Sequence, residues 1–183
     1  MGKLMHKHSC RALALNLLLL FAVGQSVAAS DPPLGVGDPA RFFLCRDLQG
    51  NPFVVGRSLL GNKGCVLSFF TPQCEFCLKE IPALAELVST KFPGMVLLFV
   101  GVDPFSGNPE QVRTYLKSLG IVTGGLFDES GRISLLYGVE SFPTIIAIDR
   151  GMRIAYRKTG YRDGDLESLE HVLAEIASAG GRE

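Results

Sequence analysis

The sequence predicts an α/β fold in which helices flank a mixed central sheet and a β-hairpin extends its N-terminal side. Three observations predict it. First, the short apolar run Cys65–Phe70 is followed by helically spaced apolar residues and then by a second apolar run over 95–102. That order is a right-handed βαβ crossover with strands buried on both faces. Second, two later strands, Thr144–Ile148 and 153–157, are separated only by the turn-forming residues 149–152, so the sheet also contains antiparallel pairing. Third, 183 residues with 47% hydrophobic and 20% charged content suffice for one domain with a real core, which excludes a disordered chain.

The elements follow in order. Lys3, Lys7 and Arg11 precede an apolar stretch over 12–23 and then Val27-Ala28-Ala29, small residues at the spacing a signal peptidase accepts. Residues 1–29 therefore read as an export signal, with an uncleaved membrane anchor as the alternative, because the stretch is shorter than the roughly 20 apolar residues that span a bilayer. Cys10 precedes the apolar region and cannot be the acylated first residue of a lipoprotein. Residues 30–40, rich in proline and glycine, form an extended lead-in; residues 41–178 form the domain and 179–183 a tail. Within the domain, strands over 41–44 and 53–55 flank the turn-rich spacer 47–51. Helical spacing marks residues 75–91, with Ile81, Leu84, Ala85, Leu87 and Val88 as its apolar positions, and also 109–119, 131–137 and 165–177.

Composition narrows the chemistry. Lys plus Arg and Asp plus Glu are 18 each, with no basic run, so nothing marks a nucleic-acid partner. Removing residues 1–29 takes away three cations, no acids and two of the three histidines, leaving 15 cations, 18 acids and His171 alone. His171 falls in the last helix, where a solvated position is expected, so neither a histidine-assisted nucleophile nor a multi-histidine metal site is available. The mature chain must work with Cys45, Cys65, Cys74 and Cys77.

At the junction of the first buried strand and the first helix the sequence reads Phe70-Thr71-Pro72-Gln73-Cys74-Glu75-Phe76-Cys77-Leu78-Lys79-Glu80-Ile81-Pro82. Cys-x-x-Cys at this point is a redox motif. Cys74 is placed at a helix start, where unpaired N–H groups and the helix dipole favour the thiolate, and Cys77 lies three residues on, on the same face. One sulfur can attack a disulfide while the other resolves the mixed disulfide.

Cys-x-x-Cys-x-x-Glu-x-Pro over 74–82, with Phe142-Pro143-Thr144 some sixty-five residues later, resembles the thioredoxin-like family, and more narrowly its exported TlpA/ResA type of thiol-disulfide oxidoreductase. Residues 43–50 are similar to that family's opening hairpin, and Tyr137-Gly138-Val139 to the segment before its proline. The resemblance implies a thioredoxin-like fold, Cys74 and Cys77 as a redox-active disulfide, and Pro143 as a cis-proline facing it. It also implies disulfide-containing envelope proteins as clients, apocytochromes c among them, and a membrane electron donor. No cofactor or metal is expected, and the chain is expected to act as a monomer. Asp103 matches the position of an acidic residue in relatives and, with Glu80 and Glu75, is a candidate to move the proton of Cys77. The plainer reading of Asp103 is a cap or turn residue.

The chain departs from the family's pattern in two places. Gln73 stands where relatives commonly carry tryptophan, and Ser68 where thioredoxin has a buried aspartate. Three other readings stay open. Cys45 and Cys65 are single and far apart in sequence, a poor basis for a zinc site. Thr71 to Cys74 mimics the Thr-x-x-Cys of peroxiredoxins, although Leu67 stands where that family has proline. The cysteines could also form an inert disulfide in a binding module. Cys45 and Cys65 themselves are expected to be buried structural thiols rather than a second redox pair.

Overall fold

The computed structural model describes residues 33–56, 64–103 and 107–179, so the signal expected over 1–29 lies outside the described residues. Seven strands form one sheet: β1 Phe43–Asp47, β2 Pro52–Val55, β3 Cys65–Phe70, β4 Val96–Val102, β5 Gly125–Asp128, β6 Thr144–Ile148 and β7 Ile154–Thr159. Among the described residues four helices accompany them: α1 Cys77–Lys91, α2 Pro109–Ser118, α3 Arg132–Leu136 and α4 Asp165–Ser178. The strand order is β2-β1-β5-β4-β3-β6-β7. β3, β4 and β5 run parallel, joined through α1 and α2, while every other neighbouring pair is antiparallel. This is the thioredoxin-like α/β arrangement, with the β1–β2 hairpin added beside β5.

Side-chain alternation along the central strands divides the core in two. Val66 and Phe70 of β3 pack with Cys77, Ile81 and Leu84 of α1, Val112 and Leu116 of α2, and Leu169 and Leu173 of α4. Cys65, Leu67 and Phe69 pack on the opposite face with Leu126, Ile133 and Tyr137. By the same alternation Ser68 faces the α1 side. Burial on both faces explains why β3 reads as a continuous apolar run.

Several expectations need adjustment. The helix expected from Glu75 begins at Cys77, because residues 75 and 76 form a turn before it. The last strand of the hairpin is Ile154–Thr159, shifted toward the C-terminus from 153–157. The lead-in is not a straight extended run: it turns at Gly37 (φ +94°), whose amide donates to the Ile154 carbonyl, and Pro39 bridges to Arg153. β5 was not anticipated. Its four residues are too few to show a period, and its Gly125 reads in sequence as a breaker. In place, a Cβ on Gly125 would come within 2.4 Å of the Leu48 side chain, so glycine is there for close approach rather than for a turn.

Candidate active site

The parallel register of β3 and β4 and the antiparallel register of β3 and β6 bring three segments to one edge of the sheet. β3 ends at Phe70 and hands the chain to Thr71-Pro72-Gln73-Cys74. Thr144 pairs with Phe69, which sets Pro143 one step further out, level with Phe70. On the other side Gly101 pairs with Phe70, so Asp103 follows two residues later at the same edge. The Phe142–Pro143 bond is cis, and the Pro143 carbonyl accepts from the amide of Gly160 at 2.8 Å. Phe142 and Cys74 both pack against the core cluster that contains Cys77.

The cysteines themselves form a disulfide, with Cα atoms 5.4 Å apart. Cys74 is half-buried and Cys77 is fully buried. The Cys74 amide donates to the Thr71 carbonyl at 3.0 Å, and the Cys77 amide donates to the Cys74 sulfur at 3.2 Å. That second bond spans three residues, as between a polar N-cap side chain and the amide three positions on, so sulfur here occupies the place usually taken by oxygen. Cys74 thus starts the helix functionally although regular helix begins at Cys77, and an anionic sulfur would be held by the same amide and by the positive end of α1.

Glu80, one turn beyond Cys77, is only 2% exposed. Its Oε1 is buried with no hydrogen-bond partner among the described residues. Burial, reinforced by the charge of Asp165 at the start of α4, pushes its carboxyl up to about 8. Asp165 is held low by the hydrogen bond from Lys158, at 2.8 Å, and by the amide of Arg162 at 2.6 Å. Glu75 is exposed, whereas Asp103 is 1% exposed and its carbonyl accepts from Gly107 at 3.3 Å. Beneath the motif, the Ser68 hydroxyl is buried and unpartnered among the described residues. The strand therefore offers no carboxylate where thioredoxin carries one; buried acids stand instead on the helix, at Glu80, and beyond β4, at Asp103.

The other cysteines among the described residues, Cys45 and Cys65, are thiols. Cys45 on β1 and Cys65 on β3 are separated by β5 and β4, three strand spacings or roughly 14 Å, so they cannot bridge. Cys65 is buried as expected, but Cys45 is only half-buried, because β1 lies next to the sheet edge. Burial drives the Cys65 thiol far up. Burial and the charges of Asp128 and Asp47 lift Cys45 to about 11.

The AhpC/TSA family profile matches residues 36–157, from the lead-in through β7. The chain belongs to the AhpC/TSA family. Among relatives of this AhpC/TSA-family chain is the thiol-disulfide oxidoreductase ResA of Bacillus cereus, 27% identical over 165 residues, covering 90% of this chain and 91% of ResA. The methylamine utilization protein MauD of Methylophilus methylotrophus is 25% identical over 174 residues, covering 89% of this chain and 79% of MauD. In solved structures, a DsbE thiol:disulfide interchange protein of Chlorobium tepidum superposes with a TM-score of 0.70 at 24% identity, covering 79% of this chain and 99% of that one. This likeness establishes the thioredoxin-like fold.

Structure adds residues that the sequence did not single out. Tyr115 of α2, Gly160, and the Lys158–Asp165 pair all approach the motif or its proline from elements distant in sequence. In sequence Tyr115 is one apolar position of an amphipathic helix, and nothing marks its hydroxyl.

Proposed function

We propose that this protein is a thiol-disulfide oxidoreductase working outside the cytoplasm, exported by residues 1–29. The observation that carries the reading is the asymmetry of its disulfide: Cys74 is half-buried and amide-bonded at its sulfur, while Cys77 is fully buried. In the reduced protein the Cys74 thiolate attacks a client disulfide and one client sulfur leaves as a thiolate. Cys77 then gives up its proton and attacks Cys74, releasing the second client thiol and leaving the Cys74–Cys77 disulfide. Two electrons pass to the client. A membrane-bound dithiol restores them. Glu80 accepts the Cys77 proton when it is ionised, a role supported by its buried, unpartnered oxygen one turn away, and Asp103 lines the same edge. Pro143 frames the client's backbone. The clients are disulfide-containing envelope proteins, including the apocytochromes c suggested by the resemblance to the TlpA/ResA type, and the enzyme meets them as a monomer.

The family match makes peroxide reduction the second reading. Against it, the Thr71 hydroxyl donates to the Gln73 side chain at 2.5 Å rather than to the Cys74 sulfur. Trapping in envelope extracts tests the first reading: Cys77→Ser should accumulate mixed disulfides and Cys74→Ser should not. The reverse pattern would exchange the roles, and turnover with peroxide but not with disulfides would replace the reading.

A further inference from the structure

A carbonyl at a helix start normally receives an amide three or four residues on. For Cys74 those donors are the amides of Cys77 and Leu78, and both are engaged elsewhere. Cys77 N–H points to the Cys74 sulfur at 3.2 Å, and Leu78 N–H to the Glu75 carbonyl at 3.2 Å. The Cys74 carbonyl is served instead from another element: the Tyr115 hydroxyl of α2 donates to it at 3.3 Å. The Tyr115 ring is fixed for this task. It stacks on Phe70 with centroids 5.5 Å apart and planes 20° from parallel, and Phe70 is the last residue of β3, four before Cys74. Burial keeps the hydroxyl protonated to higher pH than a free tyrosine, so it stays a donor.

We propose that Tyr115 is a positioning residue of the redox centre: by holding the Cys74 carbonyl, its hydroxyl leaves the Cys77 amide to the Cys74 sulfur. The competition is local. A residue's carbonyl and side-chain acceptor compete for the amide three positions on, and oxygen is ordinarily the stronger acceptor than sulfur. Once the carbonyl has a donor of its own, the amide serves the sulfur, where it matters most when that sulfur carries charge, since hydrogen bonds to ionised groups are about twice as strong as neutral ones. Tyr115 therefore acts on the thiolate through the backbone, without touching sulfur or client. The inference rests on the oxidoreductase reading for its biological meaning, yet its test reads the dithiol itself.

Tyr115→Phe keeps the ring and removes only the hydroxyl. In the reduced protein, the pH midpoint of Cys74 alkylation by iodoacetamide should rise. In glutathione redox buffer, loss of thiolate stabilisation should move the equilibrium toward the oxidised protein by about threefold to tenfold, tenfold being about 30 mV for this two-electron couple. Tyr115→Leu, which also loses the stack, should shift both quantities in the same direction and additionally lower the melting temperature. Unchanged midpoint and equilibrium in Tyr115→Phe would overturn the proposal, as would a shift seen only in Tyr115→Leu, which would assign the effect to packing. Neither measurement needs a client. A wild-type protein that fails to reduce client disulfides would thus refute the oxidoreductase reading while leaving this one to be judged on its own data.

Discussion

Glu80 shows how one side chain can couple stability to pH. Its folded-state carboxyl keeps its proton up to about pH 8, whereas the unfolded chain releases it near 4.5. Between those values the unfolded state binds fewer protons, so stability falls as pH rises and levels off above pH 8. Glu80→Gln removes the titration. It should therefore leave stability little changed below pH 4.5 and raise it progressively up to pH 8, by roughly 3–5 kcal/mol at the upper end. Urea denaturation of the oxidised protein at several pH values measures this; parallel curves for variant and parent would remove Glu80 as the titrating group. Because only ionised Glu80 can take the proton from Cys77, resolution of mixed disulfides by the parent should speed up as pH rises toward 8, and the variant should resolve them more slowly without that rise.

At the scale of elements, the contact between α2 and the sheet is the most exacting. A Cβ on Gly101 would lie 2.2 Å from Val112 Cγ1 and 3.0 Å from Phe70 Cζ, so the helix approaches the strand as closely as glycine permits. Gly101→Ala should push α2 outward at a cost of about 1–3 kcal/mol, read from denaturant midpoints. Because Phe70 also carries the Tyr115 stack, the redox equilibrium should move with it. A normal midpoint would show that the helix yields freely. Elements differ in how plainly the sequence announces them. β3 and β6 coincide with the ranges read from composition, since burial on both faces leaves an unbroken apolar run with turn residues at its ends. The Cys-x-x-Cys and Phe142-Pro143 motifs are local, so their residues were legible too. β5 was not, because a four-residue strand is selected by its neighbours and not by its own pattern. Tyr115 and Asp165 were hidden for a related reason: their relation to the motif exists only after α2 and α4 have packed on the sheet, and spacing along the chain does not encode it.

For the molecule as a whole, the two free thiols of the described residues sit in regions of different mechanical standing. Cys65 lies at the centre of the sheet between β4 and β6, whereas Cys45 lies on a hairpin joined to β5 by two residue pairs, Arg46↔Phe127 and Asp47↔Leu126, and by the Leu48 amide donating to the Gly125 carbonyl. Replacing both by alanine should preserve disulfide reduction, since Cys65 is at the far end of β3, some 17 Å from the motif, and the loss should be limited to a modest decrease in melting temperature. Lost turnover in a folded variant would instead place them on the electron path. The arrangement also gives the protein two internal chronometers of its own opening. In the chain without residues 1–29 and with the Cys74–Cys77 disulfide intact, these are the thiols left to react with a maleimide, and Cys65 must first reach solvent whereas Cys45 is only half-buried. Cys45 should label through detachment of the hairpin alone, at a rate insensitive to low urea. Cys65 should wait for the sheet to come apart, so its labelling should accelerate with urea along the slope of global unfolding. Equal slopes would mean that hairpin and sheet open as a single cooperative unit.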